Sequence, residues 1–527
     1  MKLKQVRCIL CMLCLSLISF VQATPKLIDW SWSNPGLDYL EQNLPRMKEE
    51  CPFLDGLVLR IYGKTIEIDG KKWTAGTGNA WNKRAWSFDM FEDTITRFKK
   101  LDFGHFTDNF FYMTTSSVNF DWESDEDCAV MAANFGVAAR VAREIGLKGL
   151  GVDIEEYGKR FWHFSDFKTD KTFSEYSAIV FTRGQQWGRA VFAEYPDVAL
   201  LMPFCLTMSS AELSIPFMNG VIDVMPITAT IFEGHESSGY ISKFPTDYAN
   251  MQMHIRKLIS QVVRPENVNR ARGQIRLAPA FYLDAYFNDN EAKNYYVNSL
   301  EPERSELGPI RLFTRNILAA MQEADPYIWI YGEKACWWKN SAHPKAKRTW
   351  DEMPKGAGVA QALNAVGHPL DGLDVTRETN LVKDPTFQGK EKIWNLWQRE
   401  YDQKKPAPGD GAVKDGKCVM HKISRGCFTQ GAPVKEGSMY FFYCKGGVND
   451  VRGGIAAASL CFQDANHKWM SHAGNISLKL PVTGKEEIVW TYLVAPKNAA
   501  FVSIQCGASG QSEGGEAFFT EMLLEER

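Results

Sequence analysis

Between Lys26 and Glu333 of this 527-residue chain, eight short apolar runs alternate with stretches of amphipathic, helical pattern. Such runs, rich in Val, Ile and Leu and without polar alternation, are typical of parallel strands buried on both faces. Strand and helix repeated eight times over about 310 residues predict an α/β fold, the (β/α)8 or TIM barrel. The runs are Lys26–Trp32, Gly56–Tyr62, Asp108–Thr114, Gly149–Glu155, Val198–Cys205, Val221–Thr230, Arg276–Asp284 and Tyr327–Glu333.

The pattern changes near Asn380, where short strand-like segments separated by Gly, Asn, Lys and Pro turns begin. This spacing predicts an all-β sandwich or jelly roll. We therefore expect a barrel domain over residues 24–372 and a sandwich over 373–527. The expected strands are Met439–Cys444, Ile455–Phe462, Ile476–Leu480, Glu487–Val494, Ala500–Cys506 and Ala517–Leu524.

The first 23 residues have the pattern of a signal peptide. Lys2, Lys4 and Arg7 precede an apolar run from Ile9 to Val21, which is short for a membrane span, and a small-residue cleavage site lies before Thr24. We expect export, to the periplasm or outside a bacterial cell, and no later membrane span. The nine cysteines beyond this segment are scattered, which is compatible with buried thiols and with one or two C-terminal disulfides.

Composition and missing motifs narrow the function classes. A net charge of −3 gives no sign of a nucleic-acid partner. The sequence has no His-Glu-x-x-His zinc motif, no Gly-x-Ser-x-Gly elbow and no complete glycine-rich nucleotide loop, so we expect no metal and no cofactor. The sequence leaves the oligomeric state open.

Asp153 and Glu155 form the most informative local feature, because they close the fourth apolar run. Side chains alternate along a strand, so these two carboxyl groups would point the same way at the carboxyl end, where barrel active sites are built. Two close carboxylates repel, which raises at least one pKa and favours a proton donor for glycosidic oxygen. The alternative is a structural pair, with a loop-capping Asp and an exposed Glu.

Other run ends supply further candidates. Glu233, Asp284 and Glu333 are candidates for a second catalytic carboxylate, each with a plain alternative as a loop cap or ion-pair member. Candidate substrate-binding side chains accompany them: Trp32, Tyr157, His235, Glu236, Tyr282, Tyr331 and Trp338. Trp32 in particular offers a flat face for a sugar ring, although a packed core indole is equally compatible.

The fourth run resembles the strand-four signature of chitinase-type (family 18) glycoside hydrolases, Asp-Gly-x-Asp-x-Asp-x-Glu. Gly149, Asp153 and Glu155 match it, whereas Lys148 and Gly151 replace the first two Asp residues. The resemblance implies that Glu155 is the general acid/base and that Asp153 steadies a substrate N-acetyl group. By analogy with retaining barrel glycosidases that use two Glu residues, the nucleophile would follow strand seven, at Asp284.

Two wider resemblances concern the whole chain. The segments 26–32, 153–157, 233–240 and 330–338 resemble a group of uncharacterised secreted bacterial barrel proteins of glycoside-hydrolase type. The outline of the C-terminal region resembles carbohydrate-binding jelly-roll modules of secreted hydrolases, in which sugar or Ca²⁺ binding would be expected. A purely structural domain is the alternative.

The sequence thus favours a glycosidase acting on an oligo- or polysaccharide. Glu155 would be the general acid/base, Asp153 would orient it or the substrate, and Glu233, Asp284 or Glu333 would supply the second carboxylate. A catalytically silent glycan-binding barrel is the principal alternative, since fold does not determine function. A polysaccharide lyase is a third possibility.

Overall fold

The computed structural model describes residues 25–115, 120–156, 160–208, 211–287, 297–339, 347–367, 369–406, 409–450, 452–470 and 475–527. The expected signal peptide (1–23) and Tyr157 lie outside these residues. The described chain divides into two compact units, one ending at Pro369 and the other spanning Leu370–Arg527. In the described residues, no helix combines the length and the apolar character needed to cross a membrane.

The first unit alternates strands with helices. Its strands are β1 (Lys26–Asp29), β2 (Gly56–Leu59), β3 (Tyr62–Ile68), β4 (Lys71–Gly76), β5 (Phe110–Thr114), β6 (Gly149–Asp153), β7 (Ala199–Met202), β8 (Thr230–Glu233), β9 (Ile275–Leu277), β10 (Ala280–Tyr282) and β11 (Tyr327–Tyr331). Its helices are α1 (Leu37–Glu50), α2 (Glu92–Phe98), α3 (Asp125–Ile145), α4 (Phe173–Glu194), α5 (Ser214–Val224), α6 (Ser237–Ile241), α7 (Pro245–Val262), α8 (Val268–Gln274), α9 (Leu283–Phe287), α10 (Glu303–Leu307), α11 (Pro309–Glu323) and α12 (Val359–Gly367).

Nine of these strands form one parallel sheet in the described part of the unit, in the order β10-β11-β1-β2-β5-β6-β7-β8-β9. The two ends of that order, β9 and β10, are successive in the chain and are separated only by Ala278 and Pro279. β9 pairs with β8 and β10 pairs with β11, both in parallel. The prediction of a parallel α/β sheet is therefore confirmed.

The sixth predicted strand, Val221–Thr230, is wrong in position. Residues 221–224 complete helix α5, and the strand is Thr230–Glu233. A short apolar segment buried in a helix interface has the same composition as a buried strand, so periodicity alone does not separate them. The connection after the second run also holds an antiparallel hairpin, β3 with β4, that the sequence analysis had not identified.

Helix α3 shows how the sequence sets a helix that packs on this sheet. The Ser124 side chain accepts a hydrogen bond from the Asp127 N–H at the first turn, and Gly146 ends the helix with φ of 86°. Glycine adopts this left-handed conformation without steric cost, which is why it caps helices so often. A capping side chain at its start and a glycine at its end thus fix the bounds of this helix.

The strands described in the second unit all pair antiparallel. They are β12 (Asn395–Gln398), β13 (Asp410–Lys414), β14 (Lys417–His421), β15 (Arg425–Pro433), β16 (Met439–Asn449), β17 (Ile455–Gln463), β18 (Ile476–Lys479), β19 (Glu487–Val494), β20 (Phe501–Ser509) and β21 (Glu516–Glu526), with a short helix α13 (Arg399–Asp402).

These strands form two sheets, β12-β15-β20-β17-β18 and β13-β14-β21-β16-β19. Side chains from both sheets, among them Phe442 and Ile504, share one buried core. The six expected strands are confirmed within a few residues, whereas β12–β15 were not identified. All nine described cysteines are free thiols.

Candidate functional site

A cavity of about 540 Å³ lies at the carboxyl ends of the parallel strands, and we refer to it as the strand-end cavity. Most of its wall is formed by residues at or just beyond the ends of β1, β2, β6, β7, β8 and β11. The lining residues are Trp30, Ser31, Trp32, Asn34, Arg60, Tyr112, Asp153, Glu155, Pro203, Phe204, Glu236, Tyr240, Trp329, Tyr331 and Glu333. Four carboxyl groups and several aromatic rings thus face one space.

Asp153 and Glu155 both line this cavity, as the sequence pattern predicted. Asp153 is the last residue of β6 and is buried, with Oδ1 accepting the Glu155 N–H at 2.9 Å. Its Oδ2 accepts hydroxyl hydrogen bonds from Tyr112 and Thr114, each at 3.4 Å. Asp153 therefore fixes the backbone that carries Glu155, while the Glu155 side chain reaches the cavity from just beyond the strand.

The ionisation of the Glu236 carboxyl is strongly perturbed. Burial, followed by the charge of Glu155, raises the pKa of Glu236 from 4.5 to about 8, although a hydrogen bond donated by the Tyr240 phenol opposes this rise. Asp153 and Glu333 add to the repulsion. At neutral pH the Glu236 carboxyl is therefore mainly protonated, which is the state required of a general acid.

The backbone before Glu236 is tightly constrained. A Cβ on Gly234 would lie 2.5 Å from the Met202 carbonyl oxygen and 2.8 Å from the Trp329 indole nitrogen, so this position requires glycine. The Trp329 indole donates to the Gly234 carbonyl at 3.0 Å, and the Glu236 N–H donates to the Pro203 carbonyl at 3.1 Å. These contacts tie the turn after β8 to neighbouring strands and hold Glu236 at the cavity.

Glu333, Tyr331 and Trp32 form a hydrogen-bonded chain on the cavity wall. The Trp32 indole donates to the Tyr331 hydroxyl at 2.7 Å, and that hydroxyl donates to the Glu333 carboxylate at 3.0 Å. Tyr282 does not line the cavity; its ring stacks on Tyr331 with centroids 5.4 Å apart. Lys334 Nζ lies 3.5 Å from Glu333. Glu333 is therefore held as part of a network.

Glu233 and Asp284 are fully buried and do not line the strand-end cavity. Glu233 accepts hydrogen bonds from the N–H groups of Cys205 (3.0 Å), Leu206 (2.6 Å) and His235 (3.2 Å) and from the Thr207 hydroxyl (2.8 Å). This carboxyl therefore joins the loops that follow β7 and β8.

Asp284 has an equivalent bracing position in α9. Its Oδ2 accepts the Glu333 N–H at 2.7 Å, and burial raises the pKa of Asp284 to about 6. Both Asp284 and Glu233 thus contact the backbone of segments that carry cavity residues, and neither is placed to touch a ligand there.

Two other candidates lie elsewhere. His235 lines a second cavity of about 390 Å³ with His254, and burial lowers the pKa of His235 to about 4. Trp338 is completely buried. In the described residues, no cluster of three or more His, Cys, Asp or Glu side chains has an arrangement suited to a metal ion.

Several cavity residues are not among the candidates that the sequence suggested, notably Trp30, Arg60, Tyr112, Asn34 and Trp329. Trp30 and Trp329 lie against each other with ring centroids 5.3 Å apart. The sequence did offer a signal for Arg60: it is a charged residue directly after the four residues of β2, where a site residue is expected. Tyr112 and Trp329 lie inside strands, where an aromatic side chain is as typical of a core as of a site.

Comparisons with known proteins give no family assignment. No protein-family model matches the chain, and no curated protein matches its sequence. Matching solved structures include a family 4 carbohydrate-binding module, at 15% identity over 28% of this chain and 99% of that chain, with a TM-score of 0.23. Another is a TmCBM61 module in complex with β-1,4-galactotriose, at 14% identity over 28% and 99% of the two chains, with a TM-score of 0.21.

Glycoside hydrolases are also among the structural neighbours. An arabinose-bound GH51 α-L-arabinofuranosidase matches at 13% identity over 29% of this chain and 27% of that enzyme, with a TM-score of 0.23. Because the match covers about a quarter of the enzyme and the TM-scores are near 0.2, these likenesses carry no argument about function.

Proposed function

We propose that the first unit hydrolyses a glycosidic bond in an oligo- or polysaccharide, with Glu236 as the general acid and Glu155 as the nucleophile or base. The observation that supports this most strongly is the convergence of four carboxyl groups and several aromatic rings on the strand-end cavity. Glycoside hydrolysis requires one protonated and one ionised carboxyl group flanking the bond.

The two roles follow from the surroundings of each group. Glu236, as the carboxyl that retains its proton near neutral pH, would protonate the glycosidic oxygen as the bond breaks. Glu155 would attack the anomeric carbon or activate a water molecule. Asp153, bonded to the Glu155 N–H, would position it. This assignment differs from the sequence-based hypothesis, which made Glu155 the acid.

The remaining wall suits a sugar. Trp32 and Tyr331 are partly exposed, and the apolar C–H face of a pyranose can pack on their rings. Trp30 and Trp329 also line the wall, with only 5% and 2% of their surface exposed. The Tyr240 and Tyr112 hydroxyls supply donors and acceptors for sugar hydroxyls. A carbohydrate substrate is therefore the class of ligand that we assign to the strand-end cavity.

Three further expectations belong to this proposal. The parallel sheet would close as an eight-position barrel, with β9 and β10 as two halves of one strand; their separation by two residues and their pairing at opposite ends of the sheet order support this. The chain would be exported with residues 1–23 removed. The second unit would be a jelly-roll module that binds carbohydrate.

Turnover of a panel of aryl glycosides and polysaccharides by Glu236→Gln and Glu155→Gln tests the assignment. We expect each variant to lose at least about 10²-fold in kcat, the usual contribution of acid–base catalysis. Glu67→Gln is the matched control, because Glu67 is exposed on the β3–β4 hairpin.

Near-normal turnover by Glu236→Gln would overturn its role as acid. Retained glycan binding by the wild-type protein with no product from any substrate would favour the non-catalytic alternative. Formation of an unsaturated product would favour a lyase.

A further inference from the structure

Arg60 is the one guanidinium among the described residues that line the strand-end cavity. It follows β2 directly, and its backbone N–H donates to the Pro35 carbonyl at 3.1 Å, which fixes where its side chain starts. The side chain is partly buried, and its Nε is buried without a hydrogen-bond acceptor in the structure. Because this Nε has almost no accessible surface, a ligand in the cavity would meet the terminal guanidinium nitrogens instead, and these make no ion pair with a described residue.

The unpaired state of Arg60 stands out because the cavity is acidic. Four carboxyl groups of described residues line the same space, yet none of the four forms an ion pair with the Arg60 guanidinium. Asn34 lines the same wall; it is only 7% exposed, and its Oδ1 is likewise buried without a donor. Arg60 and Asn34 are thus two wall residues that each carry a buried polar atom without a hydrogen-bond partner.

We propose that Arg60 binds an oxyanion on the sugar, a uronate carboxylate or a sulfate ester, so that the substrate class is an anionic glycan. The inference rests on the proposed function for the idea that a sugar occupies the cavity. Arg presents a planar fork of donors that fits a carboxylate or sulfate through two parallel hydrogen bonds.

The charge of the cavity is compatible with this assignment. The Glu236 carboxyl is largely neutral near pH 7, which removes one of the four negative charges. The charge of Arg60 also acts on the neighbouring Tyr112 phenol, lowering its pKa against the dominant effect of burial. Arg60 therefore supplies a positive charge to the wall at the end of β2, although the charge of Asp153 has the larger effect on Tyr112.

Calorimetric titration of the full chain carrying Glu236→Gln, which prevents turnover, tests the inference with matched ligands. Uronate oligosaccharides are compared with their carboxyl-reduced forms, and sulfated oligosaccharides with their desulfated forms. We expect an anionic member of one pair to bind about 10- to 100-fold more tightly than its neutral counterpart, the usual range for a charge-assisted hydrogen bond. The pair that shows the preference identifies the oxyanion.

Variants then assign the preference to Arg60. Arg60→Gln should abolish the difference within the pair, whereas Arg60→Lys should keep part of it, because the charge remains but the fork is lost. Arg256→Gln, at an exposed position of α7, is the control and should change nothing. If Arg60→Gln fails to fold, the inference is tested by comparing the anion preference of Arg60→Lys with that of the chain that keeps Arg60.

Equal affinity for the two members of every pair, or no binding of any anionic member, would overturn the inference. A preference for the anionic member that survives Arg60→Gln would also overturn it. Anion preference in a protein that releases no product would keep this inference and refute the proposed hydrolysis. Turnover of neutral glycosides that needs Glu236 but is indifferent to Arg60 would do the reverse.

Discussion

Replacing Glu236 with glutamine should stabilise the protein at alkaline pH, and the size of the effect follows from the environment of this carboxyl group. Burial and the charge of Glu155 raise the pKa of Glu236 from 4.5 to about 8 in the folded chain. The folded state therefore holds this proton more tightly than the unfolded state does. Between pH 4.5 and about 8 the wild-type protein loses stability as pH rises, because folding opposes an ionisation that the unfolded chain allows.

The magnitude can be worked out from this interval. Each pH unit between the two pKa values changes the unfolding free energy by about 1.4 kcal/mol, so the full interval corresponds to about 5 kcal/mol. Water entering around an ionised Glu236 would relieve part of the penalty, so we expect a difference of about 2–5 kcal/mol at pH 9. Glutamine resembles the neutral acid in shape and does not ionise, so Glu236→Gln avoids this loss.

The assay is the melting temperature of the wild type and of Glu236→Gln from pH 4.5 to 9. A unit of this size has an unfolding entropy of about 0.7 kcal/mol per kelvin, so the variant should melt about 3–7 °C higher at pH 9. The two proteins should differ little at pH 4.5, where Glu236 is protonated in the folded state and half protonated in the unfolded state. Glu67→Gln controls for general charge effects. A difference that stays constant across the pH range would refute the reasoning.

Three further expectations concern neighbouring side chains. Tyr240→Phe removes the hydrogen bond that lowers the Glu236 pKa, so the alkaline limb of the pH–rate profile should move to higher pH. Glu233→Ala should destabilise the protein by about 3 kcal/mol, measured by thermal unfolding, because it leaves the buried N–H groups that donate to this carboxyl without an acceptor. Trp338→Ala should cost about 3–5 kcal/mol of stability, whereas Trp32→Ala should weaken glycan binding, measured by titration, with a smaller loss of stability.

Polar side chains converging at one edge of the sheet can be predicted from the sequence, whereas the role of each carboxyl group depends on contacts between distant segments. Asp153, Glu155 and Glu333 were identified because polar residues that end parallel strands meet at one edge of the sheet, a consequence of topology alone. Their presence on one cavity wall agrees with that reasoning. Position relative to a strand end is a local property, so a single sequence contains it.

Glu233 and Glu236 show where local reasoning stops. Glu233 ends β8 and Glu236 follows three residues later, and the sequence favoured Glu233 as the catalytic carboxylate and gave Glu236 a substrate-binding role. In the structure, Glu233 accepts hydrogen bonds from N–H groups of the loop after β7, some 27 residues earlier in the chain, and does not line the cavity. Glu236 follows a turn that Gly234 and Trp329 hold close to the sheet. Those contacts join segments that are distant in the sequence, so the residue pattern of a single run does not predict them.

The identity of the acid is a collective property of the strand-end cavity. Asp153, Glu155, Glu236 and Glu333 share one space, and full ionisation of all four would place four negative charges within it. Burial and the neighbouring charges keep the proton on Glu236, and the hydrogen bond from the Tyr240 phenol opposes them only in part. The Asp153 carboxyl, by contrast, accepts three hydrogen bonds. It follows that a motif centred on one strand cannot by itself name the proton donor. The pair at the end of β6 supplies the negative charge, and this charge is part of what keeps the proton on the carboxyl after β8.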